Sequence, residues 1–443
     1  MKHIWMYLSN GDLDVEKLQC EEEGKELEPY LDQFAKVQAL DLEDSKNWPA
    51  AEALFEQTEK LRVKPDFPYR EPSDLAGIKK ARGERPELPA LSLSGDALYD
   101  RIYGAWLGRC CGCLLGKPVE GWRRDRMKAY LDEFGYPLDY YIGKNLTDEQ
   151  RKRHNLSDRL SWDRMPEDDD TNYTTIGLAI LEQRGPSFTP VDVANFWMHN
   201  VPILHTCTAE RAAYRNLVNL IPPPRSASFR NPYREWIGAQ IRADAFGYAC
   251  PGNPELAAEF AWRDASISHV KNGIYGEMFV AAMLAAACAT DNVETIVRAG
   301  LGEVPEKSRL KEGIEKVLSW RADGISFEDA FAKVHEMWNE YHAHHWCGTI
   351  SNAMIVTVGL LWGDGDYEKS ICRAVMCCLD TDCNGATVGS IIGMMLGASR
   401  LPAKWTEVVN DTLETGVAGY NVVKISDMAK KTMVVIEAVR ASG

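Results

Sequence analysis

Apolar positions recur at helical rather than strand spacing along most of the chain, and the pattern divides it in two. Within residues 1–64 the stripes are partial. Leu31, Phe34, Val37 and Leu40–Leu42 share a face of the segment Pro29–Leu42, and Ala50–Leu61 supplies another stripe. Both run among acids, which predicts polar, acidic helices. Pro65, Pro68, Pro72, Pro86 and Pro89 then punctuate a charged stretch, the composition of a linker or a wrapping arm. A boundary falls near residue 95. From Asp96 onward helical segments alternate with Gly, Pro and Asn turns and strand-like alternation is scarce. The pattern predicts an N-terminal helical extension over 1–95 and a larger, mainly helical domain over 96–443.

Two segments of the larger domain carry a second periodicity. Gly104, Gly108, Gly112 and Gly116 recur every fourth residue, as do Gly385, Gly389, Gly393 and Gly397. Glycine costs roughly 1 kcal/mol relative to alanine inside a helix, so eight of them need a reason. Fourfold spacing stacks them on one ridge, where another backbone can approach closely. Two tightly packed central helices are predicted, with Ala281–Ala287 in a third, small-residue core helix.

Composition narrows the function. The 443 residues are 45% hydrophobic and 26% charged, ordinary globular usage, with a net charge of −15. The acidic balance argues against nucleic acid as a partner, because such proteins carry a basic footprint. The longest apolar runs, Phe279–Ala289 and Ala386–Ala398, fall short of the ~18 residues a membrane span requires. Acids follow the first residues at once, which does not fit a secretory signal. Twelve cysteines are scattered without zinc spacing, so reduced thiols and a cytoplasmic location are expected.

Three features carry candidate chemistry. Asp168, Asp169 and Asp170 stand just before a predicted helix whose stripe is Tyr173, Ile176, Ile180 and Leu181. One of them suffices as a cap, and three adjacent acids repel unless a hard cation offsets them. Asp380 and Asp382 open the second glycine-ridged helix, so two acid-loaded helix starts could converge on an oxygen-loving metal such as Mg²⁺. Glu120 follows the first ridged helix beyond Gly116 and Pro118, where a sharp turn would aim it back across the helix ends.

Together these segments resemble the ADP-ribosylglycohydrolase family. The opening motif, Gly-xxx-Gly-xxx-Gly-Asp then Gly-x-Pro-x-Glu, reads here "GAWLGRCCGCLLGKPVE"; the middle Thr-Asp-Asp-Thr reads Asp168-Asp169-Asp170-Thr171. The closing Gly-Gly-Asp-Thr-Asp-Thr and its Gly-rich helix appear as "CLDTDCNGATVGSIIGMMLGA". Between them, Asn253–His269 is similar to the segment ending Asp-Ala-x-x-Thr-His, and "GDGDYEKSICRAV" to the stretch leading into the closing motif. The resemblance covers about residues 96–400 in order.

It implies an all-α, orthogonally packed multi-helix bundle with a binuclear Mg²⁺ centre (Mn²⁺ is the other candidate) that hydrolyses a bond at the anomeric carbon of ADP-ribose. Position by position, Asp169 and Asp170 match the first pair of metal ligands, with Asp168 in place of their threonine neighbour and counted among the metal-site acids, and Asp380 and Asp382 match the second pair. Glu120 matches the acidic residue near the scissile bond; it and Asp170 are the implied catalytic pair. The implied substrate side comprises Gln240, Arg242, Asp244, His269, Asn272 and Cys383.

Departures from the motifs bear on substrate and metal. Cys113 replaces an aspartate and Cys383 a threonine; a thiol is a poor Mg²⁺ ligand, so Cys383 either packs beside the centre or marks altered occupancy. "IGAQIRADAFGY" lies where the family has Gly-Asn-Gly-xxx-Met-Arg, with Gly238, Gln240, Arg242 and Asp244 pointing to a changed substrate. The stretch Trp122–Trp162, with Tyr130, Tyr136, Tyr140 and Tyr141, forms either a lid or an insertion packed on its own aromatics. Arg123, Arg124, Arg126 and Lys128 read as a solvated helix face, and His342, His344 and His345 as surface or helix-end residues.

The expected activity is a metal-dependent hydrolysis of an N- or O-glycosidic bond in an ADP-ribosyl, ribosyl or other small glycoside. A metal-dependent phosphohydrolase and a non-catalytic ADP-ribose- or sugar-binding protein are the rival readings. The expected partner is a small glycoside or an ADP-ribosylated substrate.

Overall fold

The computed structural model describes residues 2–156 and 162–442. Among them are 23 α-helices and one small antiparallel sheet, β1 (Thr412–Glu414) paired with β2 (Val422–Lys424) through Leu413 opposite Val423. The all-α expectation holds. Seven helices position the features that matter here: α1 (Asn10–Glu22), α2 (Gly95–Gly116), α3 (Asp169–Arg184), α4 (Thr208–Val218), α5 (Asn272–Ala287), α6 (Thr349–Trp362) and α7 (Thr381–Leu396). Residues of α5 and α6 are buried throughout, and α5 contains the predicted small-residue core segment. No helix of the described residues is long and apolar enough to cross a membrane.

The glycine ridges of α2 and α7 face one another, antiparallel and backbone to backbone. A Cβ on Gly104, Gly108 or Gly112 would come under 3.0 Å from the carbonyl oxygen of Gly393, Gly389 or Gly385, and the reciprocal positions are as tight. Alanine fits at none of these three pairs without moving a backbone, which explains the ridge better than flexibility does. The fourth rung differs from the simple fourfold ladder. Gly116 meets Thr381, whose Oγ1 donates to the Gly116 carbonyl at 2.9 Å, while Gly397 lies beyond the ladder at φ +85° as a helix C-cap. That offset sets the end of α2 against the start of α7. Lys117–Glu120 and Asp380–Asp382 are thereby forced into one place.

Residues before α2 form a small core of their own, built on Leu13, Cys20, Phe34, Val37, Leu54 and Phe55. The acids of α1 turn inward on the larger domain. Arg234 takes Glu16 at 2.5 Å and Glu23 at 3.1 Å, and Gln19 donates to Glu235 at 2.8 Å. The Pro-rich stretch wraps the body as an arm: Glu71 holds Arg309 at 2.8 Å, and Arg82 binds Glu303 and Glu255. A short helix, Leu75–Ala81, interrupts that arm; the prolines flanking it concealed it in the sequence.

Candidate metal centre

Asp168 is the N-cap of α3, accepting the Asp170 N–H at 3.0 Å, and the stripe Tyr173, Ile176, Ile180 and Leu181 is buried behind it. Capping therefore accounts for one acid of three. Two cations from the α2 region pair with Asp168 and Asp170. Lys117 Nζ lies 2.5 Å from Asp168 Oδ2, and Arg109 Nη2 lies 3.0 Å from Asp170 Oδ1 while also donating to the carbonyls of Asp170 and Ile241. Asp380 enters from α7, its backbone N–H donating to Asn352 Oδ1 of α6 at 3.1 Å.

Three sets of ligand atoms lie within 4.8 Å of one another: Cys113 with Asp168 and Asp170; Asp170 with Asp382 and Cys383; Glu120 with Asp380 and Asp382. The two sequence-distant acid clusters and Glu120 thus converge. Asp170 Oδ2 and Asp382 Oδ1 are buried with no hydrogen-bond partner, a costly arrangement for a carboxylate. Among the described residues, the cations paired with these five aspartates and Glu120 are Arg109 and Lys117. That orphaned oxygen and uncompensated charge fit a divalent cation.

The electrostatics of the metal-free fold agree. Burial and then the charge of Asp382 drive Asp380 well above the usual carboxylate range, and burial does the same to Asp170 against the pull of Arg109. Burial, helped by Asp168, pushes Asp169 up to about 8 and Asp382 up to about 6. Asp168 alone is lowered: burial opposes ionisation, but Lys117 outweighs it. Glu120 opens to solvent on one side, yet Asp382's charge, then burial, raises its carboxyl to about 9. Water on its exposed side screens part of that repulsion.

The substrate-side set separates by environment. Arg242 is 1% exposed, ion-paired with Glu210 at 3.1 Å and with Asp264, and stacked over Tyr173 and Trp197. Asp244 is buried against Arg109 Nη1 at 2.9 Å and Ser390. Asn272 starts α5, donating to Glu71 and Glu235 and accepting the Leu310 N–H. These three hold the framework around the centre. Gln240 and His269 keep buried atoms without protein partners, the whole amide and Nε2 respectively, and burial followed by Arg242 keeps the His269 ring neutral. Cys383 is drawn into a ligand group instead.

Other expectations resolve as follows. In the aromatic stretch, residues 157–161 lie outside the described set. In the remainder Tyr130 packs on Phe134 and Trp122, and Tyr141 on Trp405, so the insertion packs largely on aromatics. Arg123 lies over Tyr341 and Trp346, Arg126 over Trp122, and Arg124 pairs with Glu340, so that basic face is only partly solvated. His344 is buried rather than superficial: Trp236 Nε1 donates to its Nδ1 at 2.9 Å, and Glu22 reaches His344 and His345 at 3.3 and 3.1 Å. Sequence reasoning missed Arg109 and Lys117. The first had a signal, a lone cation among Leu107, Cys110, Cys111 and Leu114.

A family model described as ADP-ribosylglycohydrolase matches residues 94–438. One solved structure, an ADP-ribosylglycohydrolase-related protein complex, aligns at 19% identity over 78% of this chain and 100% of that chain, with a TM-score of 0.45. No curated protein matches by sequence.

Proposed function

Because the chain belongs to the ADP-ribosylglycohydrolase family, we propose that it hydrolyses a glycosidic bond at the anomeric carbon of an ADP-ribosyl or ribosyl group with the help of divalent cations. The observation that carries this reading is the convergence of Glu120, Asp380 and Asp382 at the offset rung of the glycine ladder. Asp168, Asp169, Asp170, Asp380 and Asp382 would hold two cations. The oxygen-only pair Asp380 and Asp382, with Glu120 beside it, suits Mg²⁺ or Mn²⁺. A cation bound there polarises sugar oxygens and makes a bound water more acidic.

The chain's own groups do the rest. Glu120, the solvent-facing acid of the centre, is the acid–base group: it gives a proton to the departing atom at the open side. Once ionised, it orients the water that completes hydrolysis. Arg109 holds one oxygen of Asp170, and the other, free of any protein hydrogen bond, remains available to a cation. Arg242, Asp244 and Asn272 position the surrounding backbone, and Gln240 and His269 retain hydrogen-bonding capacity for the substrate.

The test is product analysis on ADP-ribosyl-arginine, ADP-ribosyl-serine, nucleosides and simple glycosides, each with Mg²⁺ or Mn²⁺ and with EDTA. Cation-dependent release of free sugar or ADP-ribose is expected from at least one of them. Release of inorganic phosphate without sugar would replace this reading with the phosphohydrolase one. Binding of ADP-ribose without cleavage of any member would replace it with a binding protein.

A further inference from the structure

The ligand groups are chemically unequal, and the inequality belongs to this chain. The outer group, Glu120 with Asp380 and Asp382, offers oxygen alone. Each of the two deeper groups contains a thiol: Cys113 beside Asp168 and Asp170, Cys383 beside Asp170 and Asp382. Cys347 stands close by, its Sγ 3.8 Å from Asp380 Oδ2. Both carboxylates of the Cys383 group carry a buried oxygen without a hydrogen-bond partner, Asp170 Oδ2 and Asp382 Oδ1, on residues 0% and 3% exposed. Two buried carboxylates, each with an unpartnered oxygen, and one sulfur within 4.8 Å of one another make a cation site with a mixed donor set.

We propose that the centre is hetero-binuclear: the deeper position, bounded by Asp170, Asp382 and Cys383, takes a thiophilic divalent ion of the Zn²⁺ class in preference to Mg²⁺. The inference rests on the reading of these carboxylates as a metal centre and goes beyond it in naming the ion each position selects. Its warrant is donor chemistry. Mg²⁺ binds oxygen and keeps its waters, whereas Zn²⁺ binds carboxylate at about 2.0–2.2 Å and thiolate at about 2.3 Å. Ligand atoms within 4.8 Å of one another accommodate those radii. For a fixed mixed set, affinity rises steeply along the first-row ions, so a sulfur donor decides the ranking. Arg109, paired with Asp170, offsets one of the negative charges that the dication would otherwise leave. The outer oxygen group keeps its preference for the harder ion, so the two positions divide the labour between them.

The experiment uses the full chain, stripped of metal and titrated with Co²⁺ as a coloured stand-in for Zn²⁺, then dialysed against equimolar Zn²⁺ and Mg²⁺ for elemental analysis. The expected result is a cobalt–thiolate absorption band and retention of Zn²⁺ on the native protein. The band is lost in Cys383→Ser, and Zn²⁺ retention falls by at least about tenfold in Cys383→Thr. In Cys288→Ser, remote from the centre, both persist. Thermal unfolding confirms that each variant is folded, and Cys113→Ser serves as the second probe if Cys383 variants are not. Cobalt binding without a thiolate band, or Mg²⁺ displacing Zn²⁺ on the native chain, would overturn the proposal while leaving the metal centre in place. Retention of neither ion would overturn the centre itself, and with it the functional reading above.

Discussion

Acidic residues do opposite things in two regions of this molecule. At the latch between the extension and the body, Glu16 and Glu23 are each 1% exposed, but they meet Arg234, with Lys25 2.8 Å and Lys271 3.5 Å from Glu23. Burial works against Glu23, yet Arg234, Lys271 and Lys25 hold it well below the usual carboxylate range. At the mouth of α2 and α7, six carboxyls share Arg109 and Lys117, and four of the five aspartates are raised instead. Buried acids with their own cations are structure. Those left short of cations, with oxygens aimed at one another, are a site prepared for something else.

The sharpest way to break this comparison is to cut each region separately. Arg234→Ala strands two buried carboxylates and is expected to lower stability by about 3–5 kcal/mol. Asp382→Ala in metal-free protein removes a repelling charge and is expected to cost no stability. Chemical denaturation of both variants reads this directly, and a large loss in Asp382→Ala would place the mouth among the structural ion clusters. At the mouth, Glu120→Gln keeps shape and removes the transferable proton; kcat is expected to fall by about 10²–10⁴ with little change in unfolding temperature.

Next in size is the ladder that brings the mouth together. Gly112→Ala forces a methyl against the Gly385 carbonyl and is expected to cost about 1–3 kcal/mol. Activity should fall with it, because the rung sets where Glu120 meets Asp382. The smallest effect is in pH. Asp169 at about 8 and Asp382 at about 6 are raised above their unfolded value of about 3.9, so the protons they bind stabilise the metal-free fold fully below about pH 4. That contribution is lost as pH rises through 6 to 8. A divalent cation takes the protons' place, so its gain in unfolding temperature should be larger at about pH 9 than at about pH 5. Equal gains at both would contradict the account of charge.

Much of the mouth was legible in one dimension because its signals are local. Fourfold glycine, Asp168–Asp170 and Asp380–Asp382 are each confined to one segment, and the family motifs they resemble keep that order. What could not be read depends on distant partners. Arg234 finds Glu16 across 218 residues, and nothing near either one announces the pair. Arg242 and Asp244 look like ligand-binding groups in a loop sequence; in space Asp264, Glu210 and Arg109 enclose them. The ladder's register was half legible: three rungs follow from spacing, but Gly116 against Thr381 depends on where α7 begins, and that offset is what delivers Glu120.

The most direct measurement is the rate of sugar release by Asp382→Ala against the native chain, on a substrate the native chain cleaves with divalent cation present. Asp382 belongs to two of the three ligand groups, so its loss should abolish turnover while the protein stripped of cation unfolds at the same temperature as the stripped native chain. Full activity in that variant would contradict the claim that the converging carboxylates are the reaction centre.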